Sequence, residues 1–259
     1  MCLILFALQQ NRHYPLVVAA NRDEFYQRPT CAMHWWPERD LLAGRDQRSG
    51  GTWLAVRRDG LVTAVTNVRE GSQAEAARSR GELPLRACEL NPADLGEELV
   101  ETGGVYGGFN LVRLDASDGW YFSNRDSHAG RHLHRGLYGL SNHLLQSPWP
   151  KLIKMREELG ELLSGKPPLT EKQLHDTLIE QLQDSTPAPD HLLPDTGVGI
   201  ETERFLSSPF IRGDGYGTRA TTIVTRSADG QVMVSEQTWL PQGRPGERQT
   251  FQWQLPAPN

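Results

Sequence analysis

Residues 2–25 read CLILFALQQNRHYPLVVAANRDEF. Two short apolar runs, residues 2–8 and 14–20, flank the polar QQNRH. Runs of this length, interrupted once by polar residues, predict a buried β-hairpin. A hairpin folds the end of its second strand back beside the start of its first. It therefore carries Asn21-Arg22-Asp23-Glu24, which follow the second run, to within reach of Cys2.

The pattern repeats outward from there. GTWLAVRRDGLVTAVTN (51–67) reads as strand, Arg-Asp-Gly turn, strand, and GGFNLVRLDASDGWYFSN (107–124) as a further hairpin. GLYGLSN (136–142) is a short strand, and the stretches from Thr218 and from Arg248 close the chain with three more. Helices are expected across 75–90 around Pro84, from the Asn91 cap into PADLGEELVET, and in the amphipathic stretches 147–165 and 170–184. Residues 185–217, rich in Pro, Gly and Asp, are expected to form a mobile lid without regular structure. Strands bunched between helices, with hairpin connections, predict an α+β antiparallel architecture in one domain spanning 1–259.

Composition excludes several classes. A net charge of −5 argues against a nucleic-acid partner, since phosphate neutralisation needs a surplus of Lys and Arg. No apolar run approaches the ~20 residues of a membrane span, and CLILFAL lacks the cationic flank and cleavage site of a signal peptide. Three cysteines, Cys2, Cys31 and Cys88, without CxxC spacing fit a reducing, cytoplasmic setting and argue against a zinc site. No pattern specifies an oligomer.

Cys2 is the chemically distinctive residue. Removal of Met1 would place a free α-amine on the residue that carries the thiol. An α-amine titrates near ~8 and can accept the proton of its own side chain during attack. A neighbouring cation lowers a thiol pKa, and a carboxylate can hold the amine, so Arg22 with Asp23 or Glu24 completes a candidate nucleophile site.

The N-terminal MC, the hairpin and ANRDEF resemble the NRDE family (transport and Golgi organisation protein 2-like). The blocks DGLVTAVTNVREG, YGLSNHLLQSPWPK and GYGTRATTIV follow in the family's order. That family is similar in turn to N-terminal-nucleophile cysteine hydrolases of the bile-salt hydrolase and penicillin V acylase type. The resemblance implies a four-layer αββα sandwich, two antiparallel sheets between helix layers.

It also implies site roles. Cys2 matches the nucleophile. Arg22 matches a supporting arginine, and Asp23 or Glu24 the supporting carboxylate, although the hydrolases space that pair more widely. Asn67 matches an oxyanion donor, Asn142 a second asparagine and Arg219 a late arginine on a C-terminal strand. Two readings follow. One is a cysteine amidohydrolase acting on a small carboxamide or other acyl compound, with no cofactor for catalysis. The other is a carrier of haem, acyl-coenzyme A or lipid, since the family is linked to Golgi organisation, lipid metabolism and haem trafficking.

Other residues have plainer expectations. His132 and His134 in RHLHRG lack a third ligand nearby and read as a solvated loop. Trp35 and Trp36 read as packing residues, Cys31 and Cys88 as structural. The RSGGTW loop (48–53) is expected beside the pocket.

Overall fold

The computed structural model describes residues 2–71, 76–128 and 130–256. The hairpin of the opening stretch is present as β1 (Cys2–Leu8) and β2 (Leu16–Phe25). Then come β3 (Thr30–Trp36), β4 (Leu41–Asp46), β5 (Leu54–Arg57), β6 (Val62–Asn67), α1 (Leu83–Glu89) and α2 (Pro92–Thr102). The middle of the chain forms β7 (Phe109–Leu114), β8 (Gly119–Ser123), β9 (Arg131–Leu133), β10 (Gly136–Leu140), α3 (Pro150–Ser164) and α4 (Glu171–Gln181). The last elements are α5 (Ile200–Phe205), β11 (Tyr216–Arg226), β12 (Gln231–Leu240) and β13 (Arg244–Gln254).

These strands make two antiparallel sheets. One runs β10-β1-β2-β11-β12-β13 and the other β3-β4-β5-β6-β7-β8-β9. β1 and β2 are apolar on both faces because both are covered. Ile4, Phe6, Val18 and Ala20 face the second sheet, meeting Leu54, Val56, Val62 and Val112. Leu3, Leu5, Val17 and Ala19 face the other way, onto Leu152, Met155 and Leu159 of α3 and Leu174 and Leu178 of α4. The outer face of the second sheet packs Val65, Phe109 and Leu111 against Leu83 and Ala87 of α1 and Leu95 and Leu99 of α2. The order is helices, sheet, sheet, helices, so the expected αββα sandwich is the observed architecture.

Three expectations are corrected, and two strands are found where none was expected. The Asn21–Glu24 quartet does not follow the second strand but lies inside it, because β11 pairs along it as far as Tyr216 opposite Phe25. β3 and β4 went unread, since a register shift between Cys31 and His34 breaks the alternation. The helical stretch at 75–90 contracts to a 3-10 turn, Arg80–Glu82, and α1; residue 75 lies outside those described. Residues 185–217 are not structureless: they hold a 3-10 turn at Asp190–Leu192, α5 and the start of β11.

Candidate functional site

Strand pairing sets the floor of the site. Cys2 is opposite Arg22, Arg22 is opposite Ala220, and Ala220 is opposite Thr238, across four adjacent strands. Directly opposed residues share a sheet face. This row therefore faces the same way as Ile4 and Ala20, toward the second sheet, one step beyond the packed core. There the sheets part into a cleft of about 970 Å³ lined by Cys2, Arg22, Asp23, Glu24, Asn67 and Arg219. Cys2 is only 7% exposed, so a ligand must enter the cleft to meet the thiol.

Alternation along β2 gives Asp23 and Glu24 different surroundings. Asp23 is buried, and its Oδ1 accepts from Thr218 Oγ1 at 2.7 Å. Glu24 is partly exposed, with Oε2 3.5 Å from Arg22 Nη2 and 3.8 Å from Arg28 Nε. Behind Asp23 lies Lys151 on α3, buried, its Nζ donating to Leu206 O at 2.9 Å. Burial dominates the electrostatics of all three inner groups. It pushes the Cys2 thiol up, with the Asp23 carboxylate adding to the rise and Arg22 opposing it. It raises the Asp23 carboxyl against the pull of Lys151 and the Thr218 bond. It brings Lys151 down to about 8, against the attraction of Asp23.

The two asparagines stand one behind the other. Asn142 is fully buried, and its Nδ2 donates to Asn67 Oδ1 at 3.0 Å and to Asn67 O at 3.1 Å. With its carbonyl oxygen engaged from behind, Asn67 lines the cleft, its Nδ2 donating weakly to Val68 O at 3.4 Å. Asn142 does not itself line the cleft. Its neighbour Ser141 donates to Cys2 O at 3.1 Å, tying the two blocks to the start of β1. Arg219 lines the cleft, with Nη1 donating to Phe25 O at 3.1 Å and Arg28 O at 2.6 Å. It thereby fixes the turn that leaves β2.

Sequence reasoning passed over several residues that the fold places here. Lys151, which closes YGLSNHLLQSPWPK, is one of them. Its signal is a cation in register with Met155 and Leu159 on the buried stripe of α3. Arg69 and Glu203 form a buried ion pair that ties the 185–217 segment to the strand end after Asn67. Val198, Thr202, Leu206 and Tyr216 bring that segment to the cleft wall, as a lid requires. Arg80 reaches the cleft because Gly51 and Gly81 touch. A Cβ on Gly51 would stand 2.3 Å from Gly81 O.

The RSGGTW loop lines the cleft through Arg48, Ser49, Thr52 and Trp53, beside the pocket as expected. Cys31, expected to be merely structural, lines it too, with Sγ accepting from Gln47 Nε2 at 3.0 Å. Cys88 is buried beside Thr63, and burial pushes its thiol to about 11. Trp36 is buried and Trp35 packs edge-on against Trp253. His132 sits on β9 rather than in a loop, 2.8 Å from Asp118. Among the described residues, no three His, Cys, Asp or Glu side chains are grouped to hold a metal ion. No helix among them is long and apolar enough to cross a membrane. The expected loss of Met1 concerns a residue outside those described.

Known proteins are similar to this chain along nearly its whole length. The Transport and Golgi organization protein 2 homolog of Homo sapiens is 33% identical over 259 residues, covering 93% of this chain and 94% of its own. The Drosophila melanogaster protein of that name is 25% identical over 92% of each chain. Among solved structures, the conjugated bile acid hydrolase of Clostridium perfringens is similar at TM-score 0.47 and 12% identity, covering 98% of this chain and 92% of that one. A Caenorhabditis elegans ortholog of N-acylethanolamine-hydrolyzing acid amidase is similar at TM-score 0.46 and 10% identity, covering 86% and 92%. The sequence model of Transport and Golgi organisation 2 matches residues 1–241, which include the hairpin, both asparagine blocks and the Arg219 strand. The chain belongs to the Transport and Golgi organisation 2 family.

Proposed function

We propose that the cleft is the active site of an N-terminal cysteine amidohydrolase acting on a small carboxamide or related acyl compound. The observation that supports this best is the convergence of Cys2, Arg22, Asp23 and Asn67 on one cleft. A buried thiol whose pKa is raised is a poor thiolate at neutral pH. It needs a base beside it, and the α-amine left by Met1 removal is that base. The amine takes the thiol proton as Sγ bonds to the carbonyl carbon. Asn67 Nδ2 donates to the resulting oxyanion, with Asn142 keeping the amide in place. The protonated amine then gives its proton to the leaving nitrogen, the C–N bond breaks, and a thioester remains. Water, deprotonated by the same amine, attacks the thioester and releases the acid and the thiol. Asp23 steadies the ammonium through this cycle, and Arg22 stabilises negative charge on sulfur.

A second reading is favoured by size. A cleft of about 970 Å³ is at the upper end of ligand pockets and exceeds what a small amide fills. It would suit a carrier of haem, acyl-coenzyme A or lipid. No histidine is among the described residues lining it, so a haem iron would rely on Cys2 or Cys31 as ligand. The discriminating experiment measures turnover of an amide and thioester panel, alongside haem and acyl-coenzyme A titration, on wild type and Cys2→Ser. The hydrolase reading expects Cys2→Ser to lose at least ~10³-fold in turnover while still binding ligand. Absence of turnover on every panel member, with tight binding untouched by the substitution, supports the carrier.

A further inference from the structure

The chain carries a net charge of −5, yet its cleft is cationic. Among the described residues, eight arginines line it against five acidic side chains, and no lysine does. A concave site whose sign opposes that of the whole molecule concentrates ligands of the opposite charge. Arginine without lysine favours planar anions, because the guanidinium fork matches a carboxylate or phosphate edge.

Most of these arginines have partners. Arg28 is paired with Asp46 at 2.6 Å, Arg78 with Glu82 at 2.7 Å and Arg69 with Glu203. Arg80 and Arg219 have no carboxylate at ion-pair distance among the described residues. Both are nonetheless held rigidly by backbone carbonyls. Arg80 Nη1 donates to Gly108 O at 2.9 Å, and Arg219 Nη1 to Phe25 O and Arg28 O. Each therefore retains Nε and Nη2 donors for a ligand. Arg80 lies within electrostatic reach of Cys2, Glu24 and Arg28, and Arg219 within reach of Arg22 and Glu24. Glu70 also lies within reach of Arg80 and Asp46 within reach of Arg219, but among the described residues no carboxylate is at ion-pair distance from either guanidinium.

We propose that the cleft contains an anion subsite, formed by Arg80 and Arg219, that selects acyl compounds bearing a carboxylate or phosphate close to the reacting carbonyl. The inference rests on reading the cleft as an acyl site, and it names the class of substrate that site takes. Partly buried guanidinium groups without counter-ions have lost hydration, and a ligand anion restores the missing interaction. Because Arg80 and Cys2 line the same cleft, the preference is for substrates that carry the charge and the acyl carbon in one small molecule.

Two measurements test this on the full chain. The first is the shift in Tm produced by inorganic pyrophosphate and by succinate at low salt, on wild type, Arg80→Met, Arg219→Met and the charge-keeping Arg80→Lys. A subsite expects stabilisation by at least one anion, lost in the Met variants and weakened at high salt. Which anion stabilises tells phosphate from carboxylate. The second is the rate of Cys2 alkylation by iodoacetate relative to iodoacetamide, resolved by peptide mass. The expected ratio exceeds that of glutathione by about tenfold and falls toward it in Arg80→Met. Equal stabilisation of wild type and Met variants, or a Cys2 ratio equal to that of glutathione with both reagents reacting, overturns the subsite and leaves the nucleophile standing. Stabilisation lost in the Met variants with Cys2 inert to both reagents supports the subsite and defeats the acyl-site reading.

Discussion

Asn142 Nδ2 donates to Asn67 Oδ1 at 3.0 Å, a bond between residues 75 positions apart that turns one asparagine into the mount for another. Asn142→Asp keeps the shape and converts the donor into an acceptor facing two oxygens of Asn67. The hydrolase reading expects turnover to fall by ~10²–10³-fold, the cost of losing one oxyanion donor, with little change in KM. Asn67→Ala should fall comparably, and the double variant should be no worse than either single one. Kinetics showing that the two losses multiply would separate their roles.

The Arg69–Glu203 pair is buried on both sides, with side-chain exposures of 4% and 2%. Glu203→Ala removes the carboxylate that pairs with the buried Arg69 cation. Breaking one side of such a pair costs about 3–5 kcal/mol, which for a chain of this size lowers Tm by roughly 10 °C. Amide exchange in residues 195–206 should accelerate more than in β1 or β2, since the pair tethers that segment. Uniform acceleration throughout the chain would show that the pair serves the core rather than the cleft wall.

His175 of α4 is buried between Ser235 Oγ and Thr225 Oγ1, each at 2.9 Å. Burial holds its pKa down at about 3, against an ordinary 6.5. The unfolded chain therefore binds a proton that the folded chain refuses as pH drops from about 6.5 toward 3. Stability from this group is full above that window and lost within it, by up to ~1.4 kcal/mol per pH unit. His175→Gln does not titrate there. Urea unfolding at pH 7, 5 and 4 should show the stability gap between wild type and variant narrowing as pH falls. A constant gap would mean that His175 is not kept neutral.

Much of the molecule was legible because it is written in local pattern. The hairpin, the Asn91 cap, the two amphipathic helices and the closing strands follow from apolar periodicity and turn residues. Cys2, Arg22 and Asn67 were legible through spacing and family blocks, and the cleft gathers them. The strand character of Asn21–Glu24 was not, since it depends on β11, nearly 200 residues away, supplying hydrogen-bond partners. Nor did the quartet by itself separate Asp23 from Glu24. That distinction arises from the burial of one and the partial exposure of the other on opposite faces of β2. Lys151 and the Arg69–Glu203 pair acquire meaning only when packing removes them from water. The cationic cleft was hidden for the same reason. Its arginines are scattered from Arg22 to Arg219 in a chain of net negative charge.

As an N-terminal nucleophile, Cys2 must both lose Met1 and carry a reactive thiol. Intact mass spectrometry of the purified protein, before and after a thiol-directed acyl probe, tests both halves together. The expected result is a mass lacking Met1 and one acyl adduct located at Cys2, faster-forming than any at Cys31 or Cys88 and absent in Cys2→Ser. A mass retaining Met1, with Cys2 unlabelled while Cys31 reacts, would contradict the account.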